Sequence, residues 1–382
     1  MKKGRISAAR KALAIAVAIG SALLCAWPMN SAASASSSQD QRLGGRARPV
    51  ITLQWPQFLG AGNEKSRDSA PRVLIPGGQA IGVAIRTQGV LVVGAGDNGR
   101  DSLREGDMIL SVNGVPLLES AMLTEAVNAA QGQPLSLRIS RGGQENDLLL
   151  TPRYDESSRA WRLGVWVRDS TAGVGTLTYY DPAMGTYGAL GHAITDSDTG
   201  SLLPVREGAL MQAEIVDVRR GQRGAPGELR GSFLREQVTL GTVQVNTALG
   251  IYGRLEAPAA SALYPEGLPT ASRGQVHTGA ATILSTIAGQ EACEYAIEIT
   301  QVSRQSAAAP KSMVLRVTDE RLLSSTGGIV QGMSGSPILQ DGRIVGAVTH
   351  VFVSDPTQGY GVFIDWMLQQ SDALSAQQSE AA

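Results

Sequence analysis

The sequence predicts a mainly β protein, and three observations carry that expectation. Charged residues make up only 18% of the chain, aromatics only 4%, and glycine supplies 45 of its 382 residues. That balance suits a body of short strands and many turns better than a helical bundle. From Trp161 onward, short runs of alternating apolar and polar residues recur between turn residues, among them Trp161–Arg168, Gly175–Tyr180, Ala213–Val218, Gln237–Val245, Ala296–Val302 and Ser312–Val317. Regularly spaced strands of this kind build sandwiches or barrels. At 382 residues there is room for two domains with their own cores, and a net charge of −1 supplies no field that would recruit nucleic acid.

The N-terminal residues 1–35 read as an export signal. Lys2, Lys3, Arg5, Arg10 and Lys11 precede the apolar run Ala12 to Trp27, and Ala33-Ser34-Ala35 follows as a small-residue cleavage site. The run is shorter than the roughly 20 residues that span a bilayer comfortably, which favours cleavage over retention as a membrane anchor. Cys25 falls inside this signal, and Leu24 stands before it where a lipoprotein signal needs a small residue. After cleavage only Cys293 remains, so the exported chain has no intrachain disulfide and depends on its cores. Cys293 lies in an alternating run and reads as a strand core residue. Residues 36–72 are mostly polar and read as a linker, interrupted by the apolar patch Val50 to Leu59.

From Val73 the pattern is strand-rich with one helix. Strands are expected at Ile81–Ile85, Val90–Val93, Asp107–Val112 and Leu135–Ile139, with Asn113-Gly114 as a tight turn. Leu123, Ala126, Val127 and Ala130 recur at helical spacing within Ser120–Ala130. The stretch Leu103 to Gly114, with Gly106-Asp107 before the strand and Asn113-Gly114 after it, resembles a PDZ domain, placed here at residues 73–155. The resemblance implies a groove that takes an extended peptide by strand addition. By position, Gly78, Gln79, Ala80, Ile81 and Gly82 would receive the peptide's terminal carboxylate. A β-rich spacer that binds nothing is the alternative.

The candidate chemistry lies further on, in Gly332-Met333-Ser334-Gly335-Ser336-Pro337 between two apolar runs. Glycines around a serine allow a tight turn that exposes Ser334 Oγ, while the N–H groups of Gly332 and Ser334 face a developing oxyanion. A serine nucleophile needs a base. Of the three histidines, His192 sits in a small-residue loop, Gly188-Ala189-Leu190-Gly191-His192. A histidine that precedes the serine matches the order of double-barrel serine peptidases rather than that of the α/β-hydrolases. His350 follows Thr349 in an alternating strand and reads as structural, and His277 as a loop or strand-end residue. A Ser–Lys dyad would have to use Lys65 or Lys311, the first in the linker and the second after an alanine-proline stretch. Three scattered histidines without a His-Glu-Xaa-Xaa-His pattern do not make a zinc site, and no cofactor is expected.

With these residues in hand, the span from Val73 to Leu368 resembles the SpoIVB-type peptidases, a sporulation family that joins a PDZ domain to a trypsin-like serine peptidase. The likeness rests on Leu74 to Val83, Asp169 to Thr178, Gly188 to Asp196, Thr326 to Ile338 and Gly346 to Val353. It implies a trypsin-like double β-barrel over residues 156–375, with a short tail at 376–382. It also implies Ser334 as nucleophile, His192 as general base, Asp319 as acidic partner and Thr349 as a supporting residue. Asp319 precedes Ser334 closely for such a partner, and capping of the following helical turn is its other reading. Asp217 is a candidate from the middle of the chain, and Asp196 reads as a shaper of its own loop.

The same resemblance implies export from the forespore to the space between two membranes. There the enzyme would cleave a membrane-bound regulator of an intramembrane protease, leading to activation of a late sigma factor, and would cut itself within residues 36–72. A peptide or protein ligand of the PDZ domain, whether a membrane partner or the chain's own tail, would gate the peptidase. The reading from another class is a non-catalytic signalling or scaffold protein that keeps the PDZ domain and has lost activity.

Overall fold

The computed structural model describes residues 71–96, 103–232 and 239–381. The expected signal and nearly all of the expected linker lie outside the described residues. Two closed barrels of six strands each organise the rest. The first takes Ala80–Ala95, Val165–Asp181, Thr186–Ala189, Gly250–Leu255, Thr239–Thr247 and Val205–Gln212 in spatial order, and closes where Ala80–Ala95 pairs with Val165–Asp181. The second takes Gly279–Ser285, Cys293–Val302, Met313–Val317, Asp355–Phe363, Arg343–Phe352 and Pro337–Gln340. Alternation along each strand sends one set of side chains inward. Ile81, Val83, Ile85, Leu210 and Ile251 fill the first barrel, and Ile283, Ile299, Leu315, Ile338 and Val362 fill the second.

The sequence suggests two separate strands at Ile81–Ile85 and Val90–Val93, but the structure makes them one. Gly89, at φ +96°, bends Ala80–Ala95 without ending it, and a side chain there would meet the Ile109 carbonyl at 2.6 Å. The first half of this strand, from Ala80 to Thr87, pairs with Val205–Gln212 and with Ser170 to Thr176, inside the first barrel. The second half pairs with Met108–Val112 on one edge and with Val165 to Arg168 on the other. The PDZ-like unit is therefore an insertion into the first barrel, entered along one long strand and left along another. Residues 80–87, expected in the PDZ domain, belong to the barrel, and the short strand Val73–Pro76 pairs with Tyr179 and Tyr180 of its strand Val165–Asp181.

Within the insertion, Met108–Val112 turns into Val115–Pro116 through Asn113 at φ +49° and Gly114 at φ +78°. This is the two-residue hairpin that an Asn-Gly pair favours. Helix Ser120–Ala129 buries Leu123 and Val127, and the hairpin Leu135–Arg141 with Gln144–Leu150 completes the unit. Helix Ile364–Ala381 follows the closing strand and runs through most of the expected tail. Cys293 does begin a strand, as expected, and shares the face of Tyr295, Ile297 and Ile299, but at the first position of the strand its side chain is exposed rather than in the core.

Candidate active site

The turn that carries Ser334 is held from both barrels. Gly332 and Gly335 both have φ of +98°, a region that a side chain disfavours. At Gly335 a Cβ would lie 2.1 Å from the Thr176 carbonyl and 2.5 Å from the Leu190 nitrogen, so only glycine fits. The Thr176 N–H donates to the Ser334 carbonyl at 3.0 Å and its hydroxyl donates to the Gly332 carbonyl at 2.8 Å. From the second barrel, the Val348 carbonyl accepts from Gly335 N–H at 2.8 Å. Among the described residues the N–H groups of Gly332 and Ser334 meet no acceptor. Unbonded N–H groups beside a serine hydroxyl are the donors that an oxyanion needs.

His192 enters from the first barrel on a loop with two left-handed residues, Leu190 and Gly191, both at φ +70°. A Cβ at Gly191 would stand 3.0 Å from Thr349 Cγ2, so the loop lies against the strand that follows the nucleophile. Asn246, buried in strand Thr239–Thr247, fixes the residues after His192. Its carbonyl accepts from Ile194 N–H at 2.9 Å, and its amide donates to the carbonyls of Ile194 at 2.7 Å and Leu203 at 3.0 Å. Each such bond contributes about 0.5–1.5 kcal/mol net, and a lost partner would leave buried groups unpaired.

The imidazole of His192 donates from Nδ1 to the Ala193 carbonyl at 2.8 Å. A carbonyl only accepts, so the proton sits on Nδ1 and Nε2 is left basic. Burial lowers the His192 pKa below its ordinary 6.5, against a smaller opposing effect of the Ala193 bond. His350 lies beside it, with ring centroids 5.0 Å apart. The strand alternation is as expected, but it is Thr349 that faces the core, while His350 is exposed and belongs to the site's surface. The His350 pKa is lowered, first by desolvation and then by the charge that His192 and Lys311 would place beside it.

Ser334 is half-buried, and its hydroxyl donates to the Thr349 carbonyl at 2.8 Å. The Thr349 hydroxyl donates to the carbonyls of Pro310 and Tyr360 at 3.1 and 3.2 Å. Ser334, Gly332, His192 and Thr349 are thus brought together. Asp319 is not. It caps helix Glu320–Thr326, accepting from the N–H groups of Arg321 and Leu322, and binds the Arg321 guanidinium at 2.8 Å. The Arg321 contact holds its carboxyl well below the usual range. Free N–H groups at a helix start and an arginine two residues on both favour this local role over a distant one.

Asp217 pairs with Arg230 at 3.2 Å on an exposed hairpin. Asp196 accepts from Asp198 and Thr199 N–H groups, both at 3.0 Å, and so shapes its own loop. Among the described residues no carboxylate bonds to His192. His277, just before a strand, binds the exposed Asp341 at 2.8 Å. Gly78 to Gly82, expected at the mouth of a PDZ groove, instead lie in the first barrel. Gly78 donates to the Leu177 carbonyl at 2.8 Å and Gly82 pairs with Val174 and Met211. Asn246 and Thr176 escaped the sequence reading. Asn246 had one cue, an amide in an otherwise apolar strand pattern where asparagine is depleted.

Solved structures that match parts of the chain include the PDZ domain of an SdrC-like protein from Listeria monocytogenes, at 17% identity over 21% of this chain and 87% of that one, TM-score 0.20. The Rv3671c protease from M. tuberculosis in its active form is 13% identical over 53% of this chain and 74% of that one, TM-score 0.30. Its inactive form is also 13% identical, over 53% of this chain and 83% of that one, TM-score 0.28. No curated protein matches the chain in sequence. The profile of the SpoIVB peptidase S55 family matches residues 159–368, which include both His192 and Ser334. On that match, which covers more than half of the sequence, the chain is a serine peptidase and belongs to the SpoIVB peptidase S55 family.

Proposed function

We propose that this serine peptidase is an exported endopeptidase of sporulation that cleaves a membrane-bound regulator of an intramembrane protease, triggers late sigma-factor activation, and cuts its own chain within residues 36–72. One observation carries the catalytic part. A glycine-framed Ser334, with two unbonded N–H groups beside it, is held against a loop that presents a neutral His192. In this mechanism the Ser334 hydroxyl leaves the Thr349 carbonyl and turns to Nε2 of His192. The imidazole takes its proton as Oγ attacks the peptide carbonyl, and Gly332 and Ser334 N–H groups receive the oxyanion. The proton passes to the leaving amine, and water hydrolyses the acyl-enzyme. The Ala193 carbonyl fills the orienting role that a carboxylate plays elsewhere.

The family supports the sporulation setting and the basic, apolar N-terminus supports export. The full chain and its Ser334→Ala form, followed by intact mass over hours with a serine-directed fluorophosphonate, test the reading. Self-shortening and a single label on Ser334, both absent from Ser334→Ala, are the expected result. A full chain that stays whole and unlabelled, and that leaves the membrane regulator uncut, would leave a non-catalytic scaffold as the better account.

A further inference from the structure

Past residue 71 the sequence contains a single lysine, Lys311, and its other basic side chains apart from histidine are all arginines. Two routes tie that lysine to the catalytic residues. Along the main chain, the carbonyl of its neighbour Pro310 accepts from Thr349 Oγ1 at 3.1 Å, and the Thr349 carbonyl accepts from Ser334 Oγ at 2.8 Å. Along the side chains, Lys311 Nζ lies 4.8 Å from the centre of the Tyr360 ring. Tyr360 is the ladder partner of His350, whose ring centre is 5.0 Å from that of His192. Residues directly opposite each other in an antiparallel pair share a face. His192, His350, Tyr360 and Lys311 therefore follow one another in a row, with Phe352 against Tyr360 at 4.6 Å.

The backbone of Lys311 is held on both sides while its side chain stays exposed. Gln305 Nε2 donates to the Lys311 carbonyl at 2.9 Å, and the next N–H, that of Ser312, donates to the Gly361 carbonyl at 2.7 Å. Ser312 is fully buried, and its hydroxyl donates to Gln305 Oε1 at 2.9 Å. Among the described residues no carboxylate pairs with Lys311. Asp355, at the turn end of the strands that carry His350 and Tyr360, gives its oxygens to Thr357 at 2.7 Å and Gln358 at 2.8 Å. An ammonium carries three donors and no acceptor, and one aromatic face does not use them up. A backbone already fixed also reduces the ordering cost when the ammonium takes a partner. The partner that strengthens such a bond most is an anionic oxygen.

We propose that Lys311 is a specificity-determining residue of this peptidase, and that it receives the carboxylate side chain of an aspartate or glutamate close to the scissile bond. The favoured substrate is then a peptide that is acidic near its cut, with Tyr360 and Phe352 offering apolar surface beside the charge. The inference rests on the serine peptidase reading for what the site does, whereas the pairing of the ammonium with an acidic peptide stands on the surroundings of Lys311 alone.

The test follows fluorophosphonate labelling of Ser334 in the full chain while capped peptides compete for the site, alternating alanine with glutamate, glutamine or lysine. The glutamate peptide halves the rate at a concentration about three- to fivefold below that of the glutamine peptide, the size of an exposed ion pair, and the lysine peptide is the weakest. Lys311→Gln removes the difference between glutamate and glutamine, Lys311→Glu reverses the order of glutamate and lysine, and added salt shrinks the preference. Each variant is read against its own peptide-free rate, so a general change in activity does not enter the comparison. Equal protection by the glutamate and glutamine peptides in the parent, or a preference that survives Lys311→Gln, overturns the assignment. So does an uncapped glutamine peptide that protects as well as the capped glutamate one, because the anion is then a chain end. A second measurement needs no catalysis. In the Ser334→Ala chain, acetylation of Lys311 by acetic anhydride, read by mass on its own fragment, is slowed by the glutamate peptide and not by the lysine peptide. Equal acetylation with both overturns the pairing. Slowed acetylation in a protein whose parent form takes no fluorophosphonate would keep the pairing with acidic peptides and sink the peptidase reading instead.

Discussion

Ser334 and Thr349 are joined by a 2.8 Å hydrogen bond from the serine hydroxyl to the threonine carbonyl. The contribution of Thr349 to the nucleophile therefore runs through its main chain, while its hydroxyl ties the strand to Pro310 and Tyr360. Thr349→Val leaves the carbonyl in place and removes both side-chain bonds. It should cost about 1–3 kcal/mol in urea unfolding, with the labelling rate of the folded protein close to that of the parent. A large loss of labelling at unchanged stability would show instead that the hydroxyl takes part in the chemistry.

A base must be neutral to accept a proton, and burial holds the His192 pKa below 6.5. The acid limb of the fluorophosphonate rate should then have its midpoint below pH 6.5. Stability should follow the same sign. The unfolded chain binds the proton more readily, so the contribution of neutral His192 is complete above pH 6.5 and is lost as the pH falls toward the folded pKa. His192→Ala should remove the limb along with most of the rate. A limb centred at or above pH 6.5 would contradict a desolvated base.

Asp319 accepts from the first turn of helix Glu320–Thr326 and from Arg321. Asp319→Ala should cost about 0.5–2 kcal/mol, the usual loss of a helix cap. The pH profile of Ser334 labelling should keep its shape, since Asp319 does not touch the imidazole. A drop of about 10⁴ in rate with the fold intact, the signature of a lost histidine-orienting carboxylate, would reinstate it as the partner.

Gly335 has no room for a methyl group, because its Cβ would fall 2.1 Å from the Thr176 carbonyl. Gly335→Ala should separate the Ser334 turn from the first barrel, cost about 3 kcal/mol or more, and abolish labelling. Gly342→Ala is the control, at φ +70° with nothing within 4 Å. It should cost only the backbone strain of about 1 kcal/mol and label normally.

Local chemistry was legible in the sequence, and long-range assembly was not. Asn113-Gly114 announced its turn, Leu123 and Val127 their helix face, and the glycines around Ser334 their turn, because each signal acts within a few residues. The insertion was hidden because Ile81–Ile85 and Val90–Val93 have the same alternation whether they form two strands or one strand bent at Gly89. Asp319 showed the same ambiguity. A carboxylate before a helix reads as cap or catalyst until the neighbours of His192 are known, and the Ala193 carbonyl that serves His192 has no signature in sequence. His350 followed the alternation, but its approach to His192 depends on a contact between barrels that no periodicity encodes.

The insertion of the PDZ-like unit also shapes how the molecule is made. The first barrel closes only when Arg86 meets Ser170 and Ala80 meets Thr176, partners from opposite sides of the insertion. In an unfolded chain that meeting carries the entropy cost of closing a long loop. Once the insertion has its core, with Leu91 already against Arg168, the two barrel strands emerge side by side and the remaining closure is short. The insertion thus acts as a folding staple, and as an N-terminal unit on the ribosome it is complete before the second barrel is synthesised. Substitutions in its core, such as at Ile109 or Leu137, should slow folding of the peptidase even though they lie outside both barrels.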